Sequence, residues 1–384
     1  MKPTDVRIVA AVPSFRQVPF AVPLTLSSGP ITGLTEATVT VSVEARNGRT
    51  ANGVGSVLLS HPWAGGTDDA MRATVRSLAA ALPAFGTADP LQHGARLLDL
   101  VARSSGPRLA AEVAAGPVDQ AVHDAWARAA GLSAYRMYDE RFLNADLGAY
   151  LGPDFAGSWP GDQLSATPAT TLPVQHVLGV AEPAADAAGR HWVKLKLTGR
   201  VDADIARVRA VAAHGARISL DPNEAYTDAA DLARLLSSVR AENAGHVEYV
   251  EQPVPRGAPG PGAAGPLPVL ADEGLPDPRE LDALTGWDGI VVKTCRGQSS
   301  ALLAYCWARK RRRFVVQQDL THVGPALAHA AVFAAHCSYS VPAFECNSLQ
   351  YAPAGNAELS VERPGLVTER DGCVEVSASG VGIR

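Results

Sequence analysis

Residues 192–197 read Trp-Val-Lys-Leu-Lys-Leu, an apolar run with Lys194 and Lys196 set into it. Of the 34 basic residues in this chain of 384, only five are lysine. A chain that carries its surface charge on arginine has little reason to place lysine inside apolar runs. Arginine stays protonated in proteins, whereas a buried lysine can shift its pKa and act as a base. On a strand, residues two apart share a face. Lys194 and Lys196 therefore point one way, and Val193, Leu195 and Leu197 point the other. Similar short runs recur at 173–178, 217–220, 247–250, 268–271, 289–292, 314–316 and 341–344, separated by helical patterns. Strands alternating with helices imply a parallel sheet, and eight such strands imply a closed α/β barrel. Its interior then receives the two lysines, and its helices cover the leucines. After the fourth strand, 253–268 is too rich in Pro and Gly for a helix and reads as an ordered loop.

The chain before the barrel has a different rhythm. Residues 37–44 alternate at period two, and 53–59 read as the hairpin partner across Asn47-Gly48. Helical patterns follow at 67–82, 91–102 and 117–130, with Gly131 as a stop. This is an α+β unit, strands first and helices after. The expected boundaries are 1–130 for this unit, 131–348 for the barrel and 349–384 for a C-terminal segment. That segment contains a strand-like stretch, 373–376, and is expected to return to the first unit.

Composition narrows the function. Hydrophobic content of 47% and charged content of 19% suit a globular protein with a sizeable core. A net charge of −5 gives no footprint for nucleic acid. The one basic run, 309–313, reads as a solvated helix end. Five scattered cysteines without a Cys-x-x-Cys spacing suggest neither a zinc site nor a disulfide framework, which fits a reducing, cytoplasmic setting. The apolar stretch 8–12 is broken by Pro13, too early for a signal peptide, and no long apolar segment suggests a membrane span.

Catalytic groups in barrels of this kind stand at the C-terminal ends of strands. Those ends carry Lys194 and Lys196, then Asp221, Glu251, Asp272 and Lys293, about one strand–helix unit apart. Three carboxylates on adjacent strands repel one another and resist joint ionisation without a cation. Oxygen donors with no histidine among them suit a hard divalent ion, Mg²⁺ or alternatively Mn²⁺, rather than zinc. Burial and mutual repulsion should lower the pKa of at least one of Lys194 and Lys196, as a general base requires. Lys293, four strands on, is expected to reach the pocket from the opposite side.

This constellation resembles the enolase superfamily, in particular the muconate-lactonizing-enzyme branch of the mandelate racemase/muconate lactonizing enzyme family. The matching motifs are Lys194-x-Lys196, Asp221-x-Asn223, Glu251-Gln252-Pro253, Ala271-Asp272-Glu273 and Lys293. The resemblance covers nearly the whole chain. It implies a modified TIM barrel, (β/α)₇β, under an N-terminal α+β capping domain. It further implies Mg²⁺ on Asp221, Glu251 and Asp272, with removal of a proton α to a carboxylate to give an enediolate, chemistry known to pair a Lys base with Mg²⁺ in this superfamily. Lys196 and Lys293 would serve opposite faces, Lys194 would tune Lys196, and Asn223 and Glu273 would support them, Glu273 by orienting Lys293. Assembly into a homo-oligomer is implied by the resemblance alone.

The chain also departs from the family pattern. Gln298-Ser299 stands where two glycines are usual after the strand-six lysine. Glu345-Cys346-Asn347 replaces the Asp-x-Asp that holds the amino group in dipeptide epimerases. His322 follows strand seven without the strand-six Asp of mandelate racemase. His322, Glu345 and Asn347 are candidates to meet substrate. So are Arg16, Phe20, His61 and Trp63, from two regions, about 14–33 and 58–66, that match the mobile capping loops of the family. The expected function is Mg²⁺-dependent racemisation or epimerisation of an amino-acid-like or N-acyl carboxylate. The alternatives are dehydration of a hydroxy or sugar acid, cycloisomerisation, and a non-catalytic binding homologue.

Overall fold

The computed structural model describes residues 1–26, 29–243, 245–262 and 267–384. Four strands form an antiparallel sheet near the N-terminus: β1 (Val6–Leu26), β2 (Gly29–Ala45), β3 (Thr50–Leu58) and β4 (Thr87–Ala88), in the order β3-β2-β1-β4. In β2 the period-two reading holds: Ala37, Val39, Val41, Val43 and Ala45 face the core. Helices Asp68–Ala81, Pro90–Ala102 and Arg108–Ala130 follow. The last is buried almost all round and lies directly across β3. That approach requires glycine, because a Cβ at Gly53 would overlap the Ala125 backbone and one at Gly55 the Pro117 carbonyl.

Two expectations for this region need correction. Residues 14–33 are not a loop. Apart from Ser27 and Ser28, which lie outside the described residues, they form the paired ends of β1 and β2. The prolines that hid β1 sit where the sheet tolerates them. Beyond Arg7, no strand among the described residues pairs with the second side of β1, and the ladder breaks between Pro19 and Leu24. The third helix does not start at Pro117 but at Arg108, with Pro117 inside it. Residues 108–116 are mostly good helix formers, which outweighs one lost backbone bond.

The barrel strands are β5 (Thr171–Leu178), β6 (Trp192–Lys196), β7 (Arg217–Asp221), β8 (Val247–Glu251), β9 (Val269–Ala271), β10 (Gly289–Val292), β11 (Phe314–Gln317) and β12 (Phe344–Glu345). From β5 to β11 each is parallel to the next, and β12 pairs with β5. Bonds between Ser340 and Val315 join the remaining two edges. The crossovers are uneven. Full helices follow β6, β7, β10 and β11 (Val201–Ala212, Ala229–Asn243, Gln298–Lys310 and Pro325–Ala335), whereas single 3₁₀ segments follow β5 and β9 (Ala184–Ala187 and Pro278–Ala283). After β8 the described residues of the Pro/Gly-rich segment hold no helix, as expected, and 263–266 lie outside the described residues.

The C-terminal segment touches both units. β13 (Cys373–Glu375) adds antiparallel to β5 of the barrel, while residues 348–356 of the C-terminal segment pack on β1 of the N-terminal unit, where Arg16 donates to the Gly355 carbonyl. The last residues reach that unit's long helix through the Ile383 N–H on Asp124. No helix among the described residues is long and apolar enough to cross a membrane.

The barrel interior is layered, and the layering positions the site. Trp192, Tyr249, Leu270, Val291, Val316, Val341 and Ala343 form a separate apolar cluster within it. Two residues further along the same strands, on the same face, come Lys194, Glu251, Asp272, Lys293, Gln318 and Glu345. The strand period thus lifts one ring of polar groups onto an apolar floor.

Candidate active site

Lys194 is the hub of this ring. Its ammonium is 2.6 Å from Glu251 Oε1, 3.1 Å from Asp221 Oδ2 and 3.0 Å from Glu345 Oε2. Lys196 donates to Asp221 and, at 3.0 Å, to Asn223 Oδ1. Lys293 donates to Asp272 Oδ2 at 2.6 Å. From the N-terminal unit, Trp63 donates its indole N–H to Glu273 Oε1 at 2.8 Å, and its ring centroid lies 4.3 Å from the Lys293 ammonium. Asn223 also donates to Glu273 Oε1, at 2.9 Å. None of the three lysines is more than 7% exposed.

The charges decide how these groups titrate. Burial alone would lower Lys194, but Glu251, Glu345 and Asp221 together hold it well above its ordinary range. Lys293 is likewise raised against its burial, chiefly by Asp272. Asp221 is buried, yet Lys196 and Lys194 keep it below the usual carboxylate range. Glu251 is pushed up by burial and then by Asp221. Glu273 rises to about 7, through burial and then Asp272. Of the Lys194 and Lys196 pair, Lys194 is therefore not lowered: around it the carboxylates outweigh both desolvation and lysine–lysine repulsion.

Five carboxyl groups, Asp221, Glu251, Asp272, Glu273 and Glu345, face three ammonium groups, and after burial the surplus of acids is what pushes Glu251 and Glu273 up. Neither oxygen of Glu251 has a hydrogen bond of good geometry, although both are buried. Such a donor set, hard and under-satisfied, fits a divalent cation. The lysines nevertheless stand among the carboxylates, and no three His, Cys, Asp or Glu side chains among the described residues form a ready-made metal cluster.

Other expectations divide. Glu345 is bonded to Lys194 and accepts from the side-chain amide of Asn347 at 2.9 Å. Glu273 does not touch Lys293; it is held by Trp63 and Asn223. Arg16 is exposed and pairs with Glu36, away from the ring. Phe20 packs in a second apolar cluster with Leu24, Leu58, Val177 and Val323. His61 is half-buried and its Nδ1 has no partner. Gln298 and Ser299 begin a helix and tie it to the long N-terminal helix, where Ser299 donates to Asp119 at 2.7 Å.

Sequence reading missed Asp319. His322 stands 2.9 Å from it through Nδ1, and Asp319 also accepts from the backbone N–H of His322 and Asn347. Burial alone would lower His322, but Asp319 carries it to about 10. The intervening Thr321 is β-branched with φ of +53°, a strained conformation held by the surrounding bonds. The Asp-x-x-His spacing after strand seven was the available signal.

Comparison with known proteins comes to the same architecture. A family described as Enolase C-terminal domain-like matches residues 179–384, more than half of the chain. No curated protein sequence matches. Among solved structures, the chain is similar to a dipeptide epimerase from Enterococcus faecalis V583 complexed with Mg and L-Leu-L-Tyr. That pair shows 19% identity, coverage of 98% of this chain and 99% of the other, and a TM-score of 0.69. An N-succinyl Arg/Lys racemase from Bacillus cereus ATCC 14579 gives 18% identity, 98% and 94% coverage, and 0.69. A muconate lactonizing enzyme from Pseudomonas fluorescens, complexed with muconolactone, gives 19% identity, 98% and 95% coverage, and 0.68. At these identities the likeness speaks for the fold.

Proposed function

The chain belongs to the Enolase C-terminal domain-like family, and from that premise we propose that it is a Mg²⁺-dependent isomerase that moves the proton α to a carboxylate. Residues 1–130 act as the cap, 131–348 as the catalytic barrel and 349–384 as the C-terminal segment. The observation that carries this reading is the ring itself: Lys196 and Lys293 flank carboxyl groups from three adjacent strands, in a centre where acids outnumber ammonium groups. Asp221, Glu251 and Asp272 would hold the ion. When bound, Mg²⁺ supplies positive charge to the substrate carboxylate as the α-proton leaves.

The chain's own groups do the rest. One of Lys196 and Lys293, in its neutral form, takes the α-proton onto Nζ, and the other returns a proton to the opposite face of the enediolate. The result is inversion with no net loss of atoms. Neutralising the carboxylates weakens the field that keeps Lys293 protonated, which brings it towards a working base. Racemisation or epimerisation of an amino-acid-like or N-acyl carboxylate suits two opposed lysines. Glu345 is occupied by Lys194, which disfavours a dipeptide held by its amino group.

A second reading has its own observation. His322, carried by Asp319 and with Nε2 unpartnered, is an acid able to protonate a leaving hydroxyl, as a dehydratase needs. Incubation with Mg²⁺ in D₂O against N-acyl amino acids, amino acids and sugar acids separates the two by mass spectrometry. One deuterium with inversion, lost in Lys196→Ala and Lys293→Ala, supports the isomerase. Loss of a water mass supports the dehydratase. No change with any member of the panel counts against both.

A further inference from the structure

Arg256 lies five residues beyond Glu251, on the Pro/Gly-rich segment that stands where the fourth crossover helix would be. With no helix in its described part, this segment runs along the barrel mouth beside the 61–66 segment of the N-terminal unit. Arg256 Nε contacts both oxygens of Glu224, at 2.9 and 3.0 Å, and its Nη2 donates to Glu224 Oε2 at 2.6 Å. The same guanidinium donates to the Trp63 carbonyl at 3.0 Å and the Ala64 carbonyl at 3.5 Å. Glu224 has φ of +66° and follows Asn223 at +45°, so its backbone is held in a conformation that few residues adopt.

The segment it grips needs an external hold. His61–Ala64 is one helical turn, followed by Gly65 and Gly66 at φ of +88° and +80°. A single turn has little stability of its own, and its last carbonyls lack partners within the helix. Arg256 supplies them. Its charge also suits the negative end of the turn. The side chain fixed by this grip is Trp63, over Lys293 and on Glu273.

Resting on the proton-transfer reading only for its functional consequence, we infer that Arg256 is a positioning residue: it pins the 61–66 segment so that Trp63 forms the wall of the pocket at Lys293. The segment that lost a helix thereby became a strut between barrel and cap. Hydrogen exchange read by mass spectrometry on the full chain, without ligand, tests the grip. In Arg256→Gln the amides of 61–66 should exchange at least tenfold faster, while 192–196 keep the wild-type rate. Glu224→Gln, which leaves Arg256 in place and weakens its anchor, should give a smaller change of the same kind. Unchanged exchange at 61–66 in both variants overturns the inference. If Arg256→Gln does not fold, Glu224→Gln decides alone. The exchange arm needs no substrate, so it stands or falls apart from the proposed activity. With any carboxylate that turns over, Arg256→Gln should raise KM at least tenfold and change kcat less. An unaltered KM overturns the link from the grip to the pocket.

Discussion

Lys194, Lys196 and Lys293 were legible in the sequence because lysine is scarce here and strand parity is simple. Parity placed Lys194 and Lys196 on one face, and the spacing of strand ends by about one strand–helix unit named Asp221, Glu251, Asp272 and Lys293 without coordinates. What parity cannot give is which charge pairs with which. Lys194 on Glu345, and Asp272 rather than Glu273 on Lys293, depend on side-chain reach across strands. Replacing Lys196 or Lys293 with Ala should cost about 10²–10⁴ in α-proton exchange, the usual scale for a general base, measured as deuterium incorporation per unit time. His322 gives a pH prediction. Its folded pKa of about 10 lies above the ordinary 6.5. Its contribution to stability is therefore full below about pH 6.5 and fades as pH rises through about 10. Asp319→Asn removes the partner and leaves the burial, so that slope should vanish from urea midpoints recorded between those limits.

At the level of elements, the sequence was most readable where apolar period and propensity agreed, as in β2 and the helix Asp68–Ala81. It was least readable where proline stood inside an element. Pro13, Pro19 and Pro23 hid β1, and Pro117 masked the first half of the helix Arg108–Ala130. In β1 the decisive partner, β2, outweighs the local preference, whereas in the helix the good helix formers of 108–116 outweigh the one proline. The contact of β3 with that helix gives a test. Gly55→Ala forces a methyl group against the Pro117 carbonyl. It should destabilise the protein by about 1–3 kcal/mol, the cost of overpacking, read from chemical denaturation, while Gly48→Ala, where no atom stands nearby, tests the cost of backbone conformation alone.

For the whole molecule, the alternation of strands and helices after residue 170 was enough to expect eight strands and a closed barrel, and β5 to β12 are those strands. The path of the C-terminal segment was not readable, since a three-residue strand carries no mark of its partner. The surplus of acids at the mouth makes a global prediction. A divalent ion that binds only the folded chain should raise its stability by about 2.7 kcal/mol at a hundred times Kd. Thermal unfolding of chelator-treated protein, titrated with Mg²⁺, checks this. Glu251→Gln should abolish the response, and an equal response in that variant would remove Glu251 from the ligand set.

Lys194, seated among three carboxylates, also bears on how a metal is loaded. An ammonium already in the centre acts as a resident counterion for the carboxyl groups that would hold the metal. Loading is then an exchange of one cation's influence for another's, and the protons that the lysines give up leave with it. Uptake of the metal should acidify an unbuffered solution, and it should tighten as the surroundings become more alkaline.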